Sequence, residues 1–126
     1  MKTIITSENA PPALGTYSHA VQVKDMLYIS GQIGIDASTG ELISDDFSQQ
    51  AEQIFVNLNH IVTAAGGDLS NIIKFNVYVL DLGNFHKLND VFTKHLKSPF
   101  PARAAVEVSA LPKGAAIEIE AIAWLD

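Results

Sequence analysis

Residues 46–67 run Asp46-Phe-Ser-Gln-Gln-Ala-Glu-Gln-Ile-Phe-Val-Asn-Leu-Asn-His-Ile-Val-Thr-Ala-Ala-Gly-Gly67. Their apolar positions are Phe47, Ala51, Ile54, Phe55, Leu58, Ile61, Val62 and Ala65. Steps of 4, 3, 1, 3, 3, 1 and 3 trace one continuous helical face. Asp45 or Asp46 caps its start. Gly66-Gly67 stops it, as a left-handed C-terminal cap would. Such a helix must lay its apolar stripe on another layer, and the flanking sequence supplies strands.

Upstream, Lys2 to Thr6 predicts a short edge strand. Residues Ser7 to Thr16 hold Pro11, Pro12 and Gly15 and form a loop. His19 to Lys24 and Met26 to Gly31 predict two strands of a hairpin, broken at Lys24-Asp25. Asp36 to Gly40 is rich in turn formers. Downstream, Ile72 to Leu80 is a strand. Asn84 to Lys97 is a second helix with Phe85, Leu88, Phe92 and Leu96 on one side, ended by Pro99 and Pro101. Ala102 to Ser109 and Ala115 to Leu125 are the last strands, joined by Leu111-Pro-Lys-Gly114. The order ββ(β)-α-β-α-ββ gives an α+β fold of one domain, residues 1–126. Two helices cannot cover both faces of a five- or six-stranded sheet. They pack on one, and the other is solvated or buried against another subunit.

Composition bounds the chemistry. The 126 residues suffice for a real core. With no cysteine there is no disulfide, thiol nucleophile or zinc ribbon. No run nears the roughly 18 apolar residues of a membrane span. The start, Met1-Lys-Thr-Ile-Ile-Thr6, lacks the long apolar core of a signal peptide, and the expectation is a cytoplasmic protein. A net charge of −6 with scattered lysines argues against a nucleic-acid partner.

Strand parity divides the last two strands between faces. Ile117, Ile119, Ala121 and Ala123 suit the helices, leaving Glu118, Glu120, Ile122 and Trp124 on the other face. In the preceding strand, Ala104, Val106 and Val108 are expected to face the helices, and Arg103, Ala105 and Glu107 to face away. Arg103 and Glu120 then share the helix-free face. Its apolar residues call for an oligomer that covers it, or for a monomer with a scattered apolar surface.

Arg103 is the one arginine in the chain, set in the apolar run Phe100-Pro-Ala-Arg-Ala-Ala-Val-Glu-Val108. Its planar fork matches a carboxylate two bonds at a time. Spacing alone leaves an anion anchor and an ion pair with a nearby Glu equally open. Glu120 could position a water or move a proton. Tyr17, in Gly15-Thr-Tyr-Ser18, could line a pocket or pack at the surface. Gly31, in Ser30-Gly-Gln32, could admit a ligand to the backbone or mark a β-bulge. His60, His86 and His95 belong to the helices, and only His19 lies near the proposed site. No histidine pair has metal-ligand spacing with acidic partners.

Gly15-Thr-Tyr-Ser-His-Ala20, Ile29-Ser-Gly-Gln-Ile33, Thr39-Gly-Glu41, Ala64-Ala-Gly66, Asp81 to Asn89, Phe100 to Val108, Leu111-Pro112 and Ile117-Glu-Ile-Glu-Ala-Ile-Ala123 together resemble the RidA/YjgF (reactive intermediate deaminase) family. The resemblance spans essentially the whole chain. It implies a chorismate-mutase-like two-layer fold, assembled as a homotrimer whose sheets form a central barrel with clefts between subunits. It implies hydrolysis of 2-imino acids such as 2-iminopropanoate and 2-iminobutanoate to 2-oxo acids and ammonia, with no cofactor or metal. By position, Arg103 matches the carboxylate-binding Arg and Glu120 the water-positioning Glu. Tyr17, Ser30, Gly31 and Asn89 match pocket positions. Thr16 stands for a common Pro, His19 for a common Gln, and Ala105 for a Cys in many members. Two other activities remain possible from the sequence: an endoribonuclease or translation inhibitor, and a non-catalytic 2-oxo acid sensor.

Overall fold

The computed structural model describes residues 1–126. Helix α1 spans Phe47–Ala64, and every apolar position of its predicted face is buried except the partly buried Ala65. Asp46 is the N-cap, its Oδ2 accepting the Gln49 N–H at 2.9 Å. At the far end Gly66 turns left-handed (φ 91°). The Gly66 and Gly67 N–H groups donate to the carbonyls of Thr63 and Val62, the paired closure expected of a glycine stop.

The strands are β1 (Thr3–Ile5), β2 (Ala20–Val23), β3 (Met26–Gln32), β4 (Ile35–Asp36), β5 (Glu41–Leu42), β6 (Ile72–Val79), β7 (Ala102–Glu107) and β8 (Ile117–Trp124). Helix α2 (Phe85–His95) lies between β6 and β7. Six strands form one sheet in the order β1-β2-β3-β8-β6-β7, and β4 pairs with β5 around the turn-rich stretch. Neighbours are antiparallel except β6 and β7, which run parallel and need the crossover that α2 provides. The turn at Leu111–Gly114 therefore joins strands that do not pair, because β6 lies between β7 and β8.

Both helices pack on one face. Phe55 of α1, Phe75 of β6 and Phe92 of α2 meet there, with ring centroids 5.1 to 5.8 Å apart. Buried aromatic rings in tilted and edge-on contact add to the stabilisation from removing apolar area. From β8, Ile117, Ile119, Ala121 and Ala123 enter this core, as their alternation predicts. The opposite face leaves Tyr28, Val106 and Trp124 about half exposed.

In β7 the expected parity is reversed. Arg103, Ala105 and Glu107 pair with Phe75, Val77 and Val79, the helix-facing residues of β6. Arg103 therefore points to the helix side, and Ala104 and Val106 lie on the open face. The alternation of Ala104 and Val106 with Arg103 and Glu107 misleads because β7 is an edge strand, where Arg103 lies over Phe85 and Phe92 and Glu107 accepts the Leu82 N–H. The expectation that Arg103 and Glu120 share a face is thereby corrected.

Candidate active site

Arg103 projects from the sheet edge onto α2. Its guanidinium carbon lies 5.1 Å from the Phe85 ring centroid and 4.9 Å from that of Phe92. Its Nη1 donates to Asn89 Oδ1 at 2.9 Å. These contacts fix the plane of the fork without neutralising it. No carboxylate pairs with it, since both ion pairs in the chain end on Glu52. The ion-pair alternative left open by the sequence does not occur within this chain. Burial lowers the pKa of Arg103 from its ordinary value, but a guanidinium stays charged in a protein. A cavity of about 400 Å³ adjoins the fork, walled by Asn89, Thr93, Phe100 and Pro101.

A second cavity, of about 640 Å³, opens on the helix-free side and holds Tyr17, Ser30, Gly31, Glu118 and Glu120. The structure thus divides the six expected site residues into two groups. Asn89 and Arg103 stand together, and Tyr17, Ser30, Gly31 and Glu120 stand together elsewhere. Neither cavity contains both Arg103 and Glu120.

Local structure builds the second cavity. Strand β3 shifts register between Ile29 and Gln32, so Ser30 and Gly31 lie in a bulge. Ser30 is held there by its N–H to the His19 carbonyl (3.0 Å) and its Oγ to the Ser18 carbonyl (2.6 Å). His19 is itself buried and points away from the cavity into the N-terminal loop. Its Nδ1 accepts the Ser7 N–H at 3.1 Å and its Nε2 donates to the Pro11 carbonyl at 2.7 Å. It is a clasp for the loop that carries Tyr17. Behind β8, buried Gln50 donates to the Ser44 carbonyl and accepts the Ala116 N–H, both at 2.9 Å. That fixes the entry to the strand bearing Glu118 and Glu120.

Two residues of this cavity region were not singled out as site residues from sequence. Tyr78 of β6 donates its hydroxyl to Glu120 Oε1, the two strands being neighbours. That bond, and then burial and the Glu120 and Glu118 charges, raise the Tyr78 pKa above its ordinary value. Glu118 lies beside Glu120, and burial first, then the Glu120 charge, push its carboxyl pKa up. The outward alternation of Tyr78 and Glu118 was visible in the sequence, but the adjacency of β6 and β8 was not.

The sequence matches the family model Endoribonuclease L-PSP over residues 7–125. The human 2-iminobutanoate/2-iminopropanoate deaminase is 46% identical over 123 residues, covering 98% of this chain and 90% of that protein. The crystal structure of RidA from the Antarctic bacterium Psychrobacter sp. PAMC 21119 is 51% identical, with a TM-score of 0.94 over 98% of this chain and 99% of that one. E. coli TdcF with bound serine is 38% identical, with a TM-score of 0.91 over 98% and 99%. With a model match across nearly its whole length and relatives this similar in sequence and shape, the chain belongs to the Endoribonuclease L-PSP family, also called YjgF/RidA.

Proposed function

We propose that this protein hydrolyses small 2-imino acids, of the 2-iminobutanoate and 2-iminopropanoate type, to 2-oxo acids and ammonia. The observation that carries this reading is the state of Arg103. An aromatic shelf and Asn89 orient a guanidinium fork that has no acidic partner in the chain. Such a fork suits a substrate carboxylate, and the name of the human relative supplies the imine class.

The site is shared between subunits. Arg103 and Asn89 of one chain approach Tyr17, Ser30, Gly31 and Glu120 of the next, in a homotrimer that covers the open sheet face. Two observations support this arrangement: the division of the residues between two cavities, and the half-exposed Tyr28, Val106 and Trp124. Arg103 holds the carboxylate and orients the C=N carbon. Glu120 orients the attacking water. An imine carbon is already electrophilic, so no covalent nucleophile is needed, and Ala105 in place of a thiol is compatible with the reaction.

The test couples a serine or threonine dehydratase to this protein and follows ammonia release. Acceleration is expected, and R103K should lower kcat/KM about 100-fold by keeping the charge and losing the fork. Wild-type rates in R103K would remove the anchor. Binding of 2-oxobutanoate without acceleration would make the protein a sensor. RNA cleavage lost with R103K would favour the endoribonuclease reading that the family name carries.

A further inference from the structure

The cavity that holds Glu120 holds a second carboxyl, Glu118, two residues earlier on β8. Alternation along the strand puts both on the helix-free side. They differ in their partners. Glu120 Oε1 accepts the Tyr78 hydroxyl, which leaves Oε2 to accept from a water. Glu118 has no hydrogen-bond donor in the chain, and its surroundings favour the protonated form: burial acts first and the Glu120 charge second.

The backbone opposite is shaped around Glu118. Gly31 sits in the β3 bulge and turns a bare Cα toward it. A Cβ at Gly31 would stand 3.0 Å from Glu118 Cδ and nearer still to Oε2. Space for the Glu118 carboxyl is thus a consequence of glycine at that position.

We propose that Glu118 is the general acid of the reaction, delivering a proton to the substrate nitrogen, and that Tyr78 is a positioning residue that aims Glu120 at the attacking water. This assignment rests on the imine hydrolysis proposed above. A water oxygen bonds to the imine carbon while Glu120 takes one of its protons. The C=N π pair moves to nitrogen, which takes the proton of Glu118, giving a carbinolamine. In the second step the proton held by Glu120 passes to nitrogen. The hydroxyl proton returns to Glu118, C=O forms, and the C–N bond breaks. One imine and one water become one 2-oxo acid and one ammonia, and both carboxyls end as they began.

The ionisable groups around Glu118 are few. Glu120 stands on its own strand, Tyr78 on β6, Tyr17 on the N-terminal loop and Lys113 on the turn before β8; β3 carries Tyr28 on the same face, paired with Ile122 four residues along β8 from Glu118.

The experiment measures kcat and KM against pH for wild type, E118Q, E118D and Y78F, with thermal melts of each. E118Q is expected to lower kcat about 100-fold with KM nearly unchanged, and to flatten the alkaline limb of kcat. E118D restores part of the rate and the limb. Y78F lowers kcat about tenfold while KM and Tm hold. A wild-type rate and profile in folded E118Q overturns the acid role while leaving imine hydrolysis standing. If E118Q does not fold, the wild-type profile decides: no decline of kcat toward alkaline pH overturns the assignment. A wild type that releases no ammonia overturns both readings together.

Discussion

Arg103 and Glu120 stand on opposite faces of one sheet, although a single strand separates theirs. Arg103 pairs with Phe75 and Glu120 with Asn76, consecutive residues of β6. Consecutive strand residues point to opposite sides. No side-chain rotation brings the guanidinium and the carboxylate to one small substrate within a chain.

Two inactive variants should therefore rescue each other. R103A and E120Q chains, each nearly inactive alone, recover roughly a quarter of wild-type activity when co-expressed in equal amounts, because random pairing restores one intact interface in four. Ammonia release by the purified mixed oligomer checks this. No recovery in mixed oligomers would mean that a single chain carries the whole site.

What the sequence conveyed depended on how one-sided each element is. Helix α1 buries a single stripe, so Phe47 to Val62 announced both the helix and its buried face. Strand β8 is central, with one apolar side, and its parity was legible from Ile117 to Ala123. Strand β7 is an edge whose alternation of Ala104 and Val106 with Arg103 and Glu107 pointed the wrong way, so the direction of Arg103 came only from the pairing with β6. The Tyr78–Glu120 bond joins residues 42 apart in the chain, and local pattern does not specify that contact.

Glu52 of α1 ties the helices together through His95, whose ring stacks on Phe55 with centroids 4.7 Å apart, and through Lys94 at 3.4 Å. Burial pushes the Glu52 carboxyl up. The His95 hydrogen bond and the His95 and Lys94 charges outweigh it and leave the pKa below the ordinary 4.5. A carboxyl with a lowered folded-state pKa stabilises above its unfolded value, and the contribution is lost as pH falls through the folded one. Compared with wild type, E52Q should lose about 1 kcal/mol at neutral pH, roughly 4 °C in Tm. The two Tm curves should converge in acid below 4.5. A gap unchanged with pH would assign the cost to packing.

His19 acts on the site through the loop it clasps. Removing the ring leaves the Ser7 N–H and the Pro11 carbonyl without their partner. H19A should cost about 1–3 kcal/mol and loosen the loop bearing Tyr17, so KM rises several-fold while kcat changes little. Glutamine offers one acceptor and two donors, and H19Q should recover most of the stability. A collapse of kcat in H19Q at normal stability would instead give the imidazole a part in the chemistry.

Gly31 separates two accounts of the same residue. If its backbone must approach the substrate, a methyl group there harms activity whatever occupies position 118. If its role is to admit the Glu118 carboxyl, the harm passes through that side chain. The geometry favours the second account, since the three atoms nearest to a Cβ at Gly31 all belong to the Glu118 side chain. G31A should then cost about 1–2 kcal/mol of stability in the wild-type background, because Glu118 must shift, and close to nothing in E118A, where the space is open. The same coupling should appear in kcat: the loss from G31A should shrink when Glu118 is already absent. Melts and kcat for the two single variants and the double variant close the cycle. Additive losses in both would return Gly31 to the role of a ligand contact.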